Sequence, residues 1–292
     1  MNSSVDRTQP VLVCIDGSEE ALVAARWAAS YGTRLHAPIR LVHTVPVGDW
    51  YGSAAYVDGG ALEVELREYG NETLELASKA VLAVEPSSAV ETIEADGELA
   101  DFVAATRAEL VVLGTRKSGY ARDAVLGSNT IRVVNRAHGP VLIWRHDTAQ
   151  IEQQRPIVVG VDGSEQSDRA FEVALEMAHT LGAPLVAANF WGVAAETGIG
   201  FGAGYVDWEK VRLQEKHWLR SHVAILHQKF PDVALSTVST DTSAARGLRK
   251  LSETALMVAV GCRGRGRLGG AVLGSVSQNL IHHAESSVLI VG

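Results

Sequence analysis

Cysteine is scarce in this chain: its 292 residues include two, Cys14 and Cys262. Each lies in or just beyond an apolar run, so a disulfide framework is excluded and buried, reduced thiols are expected. Also missing is any apolar run of the roughly eighteen residues that a membrane-spanning helix needs. The N-terminal "MNSSVDRTQP" is polar, with no apolar core of a secretion signal. The expectation is a cytosolic protein without membrane contact. There is no basic surplus either, since 26 Lys and Arg face 34 Asp and Glu for a formal charge of −8. Proteins that track nucleic-acid phosphates usually carry excess positive charge, so nucleic acid is not an expected partner, although local basic clusters can still hold small anions. Two catalytic signatures are absent as well, the G-x4-G-K-[ST] phosphate loop and the G-x-S-x-G nucleophile turn. No nucleophile–base or acid–base arrangement stands out.

What the sequence has is a copy of itself. "VLVCIDGSEEALVAARWAA" at 11–29 matches "IVVGVDGSEQSDRAFEVAL" at 157–175, a displacement of 146. "LVVLGTRKSGYARDAVLGSNTIRVV" at 110–134 matches "LMVAVGCRGRGRLGGAVLGSVSQNL" at 256–280, with Gly114 meeting Gly261 at a displacement of 147. The length suits two domains of about 140–150 residues, each large enough for its own core. We place the first at 1–147, a linker at 148–155 within the polar "HDTAQIEQQR", and the second at 156–292.

Short β-branched runs alternate with helix-length segments in both halves. The runs are "PVLVCID", "IRLVHTV", "AVETIEA", "LVVLG" and "PVLIW", then "PIVVGVD", "PLVAANFW", "VALSTVS", "ALMVAVG" and "SVLIV". The first helix is expected at 18–31, with Ser18 as its cap and glutamates in its first turn, and the second at 61–84. Continuous apolar strands alternating with helices indicate a parallel sheet covered on both faces. Each half therefore reads as an α/β domain of five parallel strands and four helices, a doubly wound open sheet. The last strands would be exposed apolar edges, a liability that pairing between the halves would remove, making the chain an intramolecular pseudo-dimer.

Ligands of such sheets settle at the carboxyl ends of the strands where the winding direction switches. The two most strongly repeated turns would lie there. After the first strand comes an acid, Asp16 or Asp162, ahead of Gly-Ser. Such a carboxylate can accept a ribose hydroxyl, help hold magnesium, or simply cap the next helix. After the fourth strand of the second half comes "GCRGRGRLGGAVLGSVS", with Gly261, Gly264 and Gly274-Ser275 in the spacing G-x2-G-x9-G-S. Glycine lets a phosphate approach the backbone, and the amides at the start of the last helix attract anions. Arg263, Arg265 and Arg267 could add charge or remain solvated. The first half has Gly114, Lys117, Gly127 and Ser128 at the same spacing. Lys117 stands where a glycine is expected, making the second half the stronger site. The letters Gly264-x-Gly266-x-x-Gly269 satisfy the dinucleotide fingerprint but fall in the wrong βα turn, and that reading is rejected. His282 and His283 near the end of the last helix are read as complementing its dipole rather than binding metal. The glycine-rich segments 46–60 and 192–206 read equally as lids or as connectors.

"VDGSE" after the first strand, then G-x2-G-x9-G-S after the fourth and a closing apolar strand, resembles the universal stress protein family, over nearly the whole chain and twice. The resemblance implies a tandem member of the actinobacterial type, built for stress response as an ATP-binding regulator. It implies a nucleotide held by Asp162, Gly261, Gly264, Gly274 and Ser275 in the second half and by Asp16, Gly114, Gly127 and Ser128 in the first. Adenine would lie at the strand-2 positions Phe190 and Thr44. The expected ligand is thus ATP, with or without magnesium, and the expected partners are an adenine nucleotide and a protein still to be identified, with a homodimer as a further option. Turnover beyond slow ATP hydrolysis is not expected, and a module that binds proteins without nucleotide is the alternative.

Overall fold

The computed structural model describes residues 9–45, 61–115, 128–146, 154–192, 207–264 and 273–292, and divides the chain into two units, Met1–Gln150 and Ile151–Gly292. In the first unit the order is β1 (Val11–Cys14), α1 (Glu19–Leu35), β2 (Ile39–Val45), α2 (Ala61–Val84), β3 (Val90–Asp96), α3 (Leu99–Ala105), β4 (Leu110–Gly114), α4 (Ser128–Arg136) and β5 (Val141–Trp144). The second unit repeats it with β6 (Ile157–Gly160), α5 (Glu165–Leu181), β7 (Leu185–Phe190), α6 (Trp208–His227), β8 (Leu235–Thr240), α7 (Ala244–Ser252), β9 (Met257–Gly261), α8 (Ser275–His283) and β10 (Ser287–Val291). No helix among the described residues is long and apolar enough to cross a membrane.

Each unit is a five-stranded parallel sheet, ordered β3-β2-β1-β4-β5 in the first and β8-β7-β6-β9-β10 in the second. The central β1 pairs with β2 and β4, setting Val11 opposite both Ile39 and Leu110. In the same way β6 sets Ile157 opposite Leu185 of β7 and Met257 of β9. The chain winds one way from the central strand and then the other. Its carboxyl end therefore borders a crevice between two connections that diverge, which is where a ligand fits.

Burial explains the unbroken apolar runs. Val11, Leu12, Val13, Val288 and Leu289 are fully enclosed because helices cover both faces of the sheet. The edge strands β3 and β8 are half-buried and carry Glu, Thr and Ser accordingly. In the first unit Trp27 of α1 stacks on Trp144 of β5 at 4.7 Å and on Tyr31 at 5.1 Å, joining helix to sheet. In the second unit Phe171, Leu175 and Met177 of α5 form the matching layer.

The expected capping is present. Ser18 Oγ accepts from the Ala21 amide at 3.2 Å, and Ser164 Oγ from the Ser167 amide at 3.2 Å. Helix α1 runs past residue 31 to Leu35, where His36 turns the chain at φ 55°; α5 stops the same way at Gly182, φ 67°.

Candidate functional site

The turn after the central strand is built identically in both units. Gly17 and Gly163 take φ of 85° and 79°, a left-handed conformation that side chains resist. This bend returns the following serine to the preceding acid. Asp162 Oδ1 accepts from the Ser164 amide at 2.9 Å and from its hydroxyl at 2.6 Å. Asp16 Oδ1 accepts from Ser18 at 3.0 and 2.6 Å. One carboxylate oxygen thus orients the capping serine. The other, Oδ2 of Asp162, faces Gly264: a Cβ there would lie 2.8 Å from it. That close approach gives the second glycine of the spacing a physical reason.

The first glycine has a reason of its own, which phosphate chemistry did not suggest. A Cβ at Gly261 would stand 2.9 Å from the Gln166 carbonyl, and one at Gly114 would stand 2.3 Å from the Glu20 carbonyl. The first turn of α5 or α1 presses directly on the strand end. Beyond it the loop closes on itself. Cys262 donates its amide to Val291 O at 2.7 Å, and Gly274 donates to Cys262 O at 2.8 Å. Ser277 Oγ donates to Gly261 O at 2.8 Å, pinning the start of α8 to the end of β9. Gly274 is the N-cap of α8 and offers no side-chain acceptor. The amides of Ser275, Val276 and Ser277 therefore have no acceptor among the described residues, at the positive end of the helix dipole.

These turns border a cleft of about 880 Å³ in the second unit. On the β9 side lie Arg263, Gly264, Gly274 and Ser275, with no carboxylate among the described residues paired to Arg263. On the β7 side lie Ala188, Phe190, Trp191 and Thr242. The Phe190 ring packs against α7, where Gly247 leaves room for it: a Cβ would sit 2.1 Å from Cε1. Trp191 Nε1 donates to Ser239 Oγ at 3.1 Å. Asn189, 4% exposed, donates Nδ2 to Val161 O at 3.0 Å, and its Oδ1 has no donor among the described residues. The first unit makes the same tie with His43, whose Nδ1 lies 2.8 Å from Ile15 O. The arrangement can receive a ligand that is anionic at one end and flat and apolar at the other.

All six residues anticipated in the second half, Asp162, Phe190, Gly261, Gly264, Gly274 and Ser275, line this one cleft. In the first unit Asp16, Thr44 and Gly114 stand at or just beyond the ends of β1, β2 and β4, and Ser128 opens α4. Lys117, Gly127, Arg265 and Arg267 lie outside the described residues, as do the segments 46–60 and 193–206. His282 and His283 occupy the last turn of α8. Sequence reasoning missed Asn189, Ser277 and Glu215. An amide inside the apolar run "PLVAANFW" was a usable signal for Asn189, and the matching Thr130 was one for Ser277. Glu215 reaches the cleft from α6, and no motif marks it.

A family model described as the universal stress protein family matches residues 7–145 and again 154–292. The chain is 32% identical over 289 residues to one universal stress protein of Mycobacterium tuberculosis, covering 96% of each. To another from that species it is 30% identical over 298 residues, covering 99% of this chain and 98% of the other. A crystal structure of a universal stress protein from Archaeoglobus fulgidus shares the fold, with a TM-score of 0.70 at 18% identity over 98% of both chains.

Proposed function

The chain belongs to the universal stress protein family, and from that premise we propose that its second half binds ATP and uses nucleotide occupancy to regulate a protein partner during stress. One observation carries the reading. Amides at the start of α8 and the Arg263 guanidinium, without acceptors among the described residues, converge with the apolar Phe190 wall on a single cleft beside the Asp162 carboxylate. The triphosphate is assigned to the Ser275–Ser277 end, where helix dipole and guanidinium favour negative charge. The adenine is assigned to the end lined by Phe190 and Trp191. Asp162, between them, can take ribose hydroxyls. A magnesium ion arriving with the phosphates would find in Asp162 one carboxylate ligand, the usual mode for this ion.

Among the described residues of the cleft no base is placed against a nucleophile, so the reading is of a binding site that changes state with its ligand, and slow hydrolysis is the most turnover we assign to it. In the first half Asp16, Thr44, Gly114, Gly127 and Ser128 match the same positions, while Lys117 replaces the glycine that meets the acid. We therefore assign the tight site to the second half.

Thermal unfolding with and without ATP tests the proposal. At a hundred times Kd the nucleotide should stabilise the protein by about 2.7 kcal/mol. Gly274→Val, which crowds the start of α8, should abolish the shift. No shift for the wild type, or an equal shift for the variant, contradicts the reading.

A further inference from the structure

The polar groups on the β7 side of the cleft are unevenly committed. Trp191 Nε1, a donor, is bonded to Ser239, and the Asn189 amide donates to Val161. What remains is mostly acceptors. Among the described residues Asn189 Oδ1 has no donor, and the Glu215 carboxylate lines the cleft without a hydrogen bond or ion pair to any of them. Thr242 adds a hydroxyl that can rotate to give or take. Helix α6, which carries Glu215, packs on β7, β8 and α5, so the carboxylate lies across the central β6 from Arg263 and α8. The cleft is therefore polarised, with cation and amides on the β9 side and unengaged acceptors on the β7 side.

We propose that Glu215 selects the base, its carboxylate accepting from the exocyclic amine of adenine. The inference rests on the nucleotide reading above and says which purine that site takes. An ionised carboxylate can only accept hydrogen bonds. Adenine presents a donor amine at its 6-position, whereas a 6-oxopurine presents a carbonyl acceptor there. A pocket built to bond an N–H rejects an analogue that lacks it, because its own polar groups are then left unpaired. Set against the 6-substituent, Glu215 thus favours ATP and disfavours inosine triphosphate, whose 6-position offers only an acceptor and whose added N–H lies at N1.

The selector belongs to the second half alone. Buried Thr73 and Ala77 of α2 match buried Leu219 and Val223 of α6 at the displacement of 146 that relates the first strands. The same displacement sets Tyr69 against Glu215. In the first unit the Tyr69 ring stands edge-on to His43 at 6.0 Å, and its hydroxyl abuts Gly17. A phenol has replaced the carboxylate.

Titration calorimetry with ATP and with inosine triphosphate, on wild type and Glu215→Gln, tests the assignment. The wild type should bind ATP at least tenfold more tightly. Glu215→Gln, whose amide can donate to a carbonyl, should bring the ratio near one by weakening ATP and strengthening its analogue. Arg263→Gln, at the phosphate end, should weaken both and leave the ratio as it was. Glu215 is half-exposed on a helix surface, so the variant should keep the wild-type melting curve without ligand. Tight ATP binding with a ratio indifferent to Glu215 overturns this inference while the ATP site stands. Absence of binding by either nucleotide overturns the ATP site and the inference with it.

Discussion

Gly264→Ala offers a test of the site's architecture that needs no ligand. A Cβ at this position would sit 2.8 Å from Asp162 Oδ2, where ordinary contact begins at 3.4 Å, so the carboxylate must retreat by several tenths of an ångström. It cannot swing freely, because Oδ1 holds the Ser164 amide at 2.9 Å and hydroxyl at 2.6 Å, and that hydroxyl caps α5. Hydrogen bonds to a charged group contribute about 1.5–3 kcal/mol each, so stretching this pair should cost about 1.5 kcal/mol of unfolding free energy. Truncation by Asp162→Ala removes the atom that the new methyl would strike. In that background Gly264→Ala should be neutral, or stabilising by about 0.4–1 kcal/mol through a less flexible unfolded chain. Urea unfolding of the four proteins closes the cycle, and a coupling of about 1.5 kcal/mol is expected. An equal cost in both backgrounds would refute the steric account of the second glycine.

The first glycine should behave differently, because its neighbour is backbone and cannot rotate away. Gly114→Ala, with its Cβ 2.3 Å from Glu20 O, should cost about 3 kcal/mol, at the upper end of overpacking, and urea unfolding showing less than about 1 kcal/mol would contradict the packing of α1 on β4. Cys14 is buried, and that burial, helped by Asp16, pushes its thiol up to about 12. Native protein at pH 8 should therefore react with a thiol reagent at half-buried Cys262 and leave Cys14 intact until urea is added. The same shift gives stability a pH dependence. The folded thiol keeps its proton while the unfolded one loses it from about 9 upward, so this contribution is complete below that value and declines as pH rises toward 12. Urea midpoints that stay constant or rise between pH 9 and 11 would contradict it.

The fold was legible because the chain states it twice. Runs such as "LVVLG" and "SVLIV" coincide with β4 and β10, since strands covered on both faces must be continuously apolar. Helix α1 ended later than its sequence suggested because His36, not glycine, takes the left-handed turn; only the copy, with Gly182, carries the usual mark. The glycine spacing pointed to residues that share one cleft but did not separate its two steric causes, one a helix turn and the other a carboxylate. Both depend on residues distant in sequence, Gln166 and Asp162, that only the folded sheet brings near. Glu215 was illegible for the same reason: on an amphipathic helix nothing sets it apart from Glu209 until α6 is laid across β7.

The most direct test of the account is a crystal structure of the protein with a non-hydrolysable ATP analogue. The triphosphate should lie on the amides of Ser275–Ser277 and the base against Phe190, with the Asp162 carboxylate between them. Nucleotide bound elsewhere, or an empty second-half cleft at saturating analogue, would contradict it.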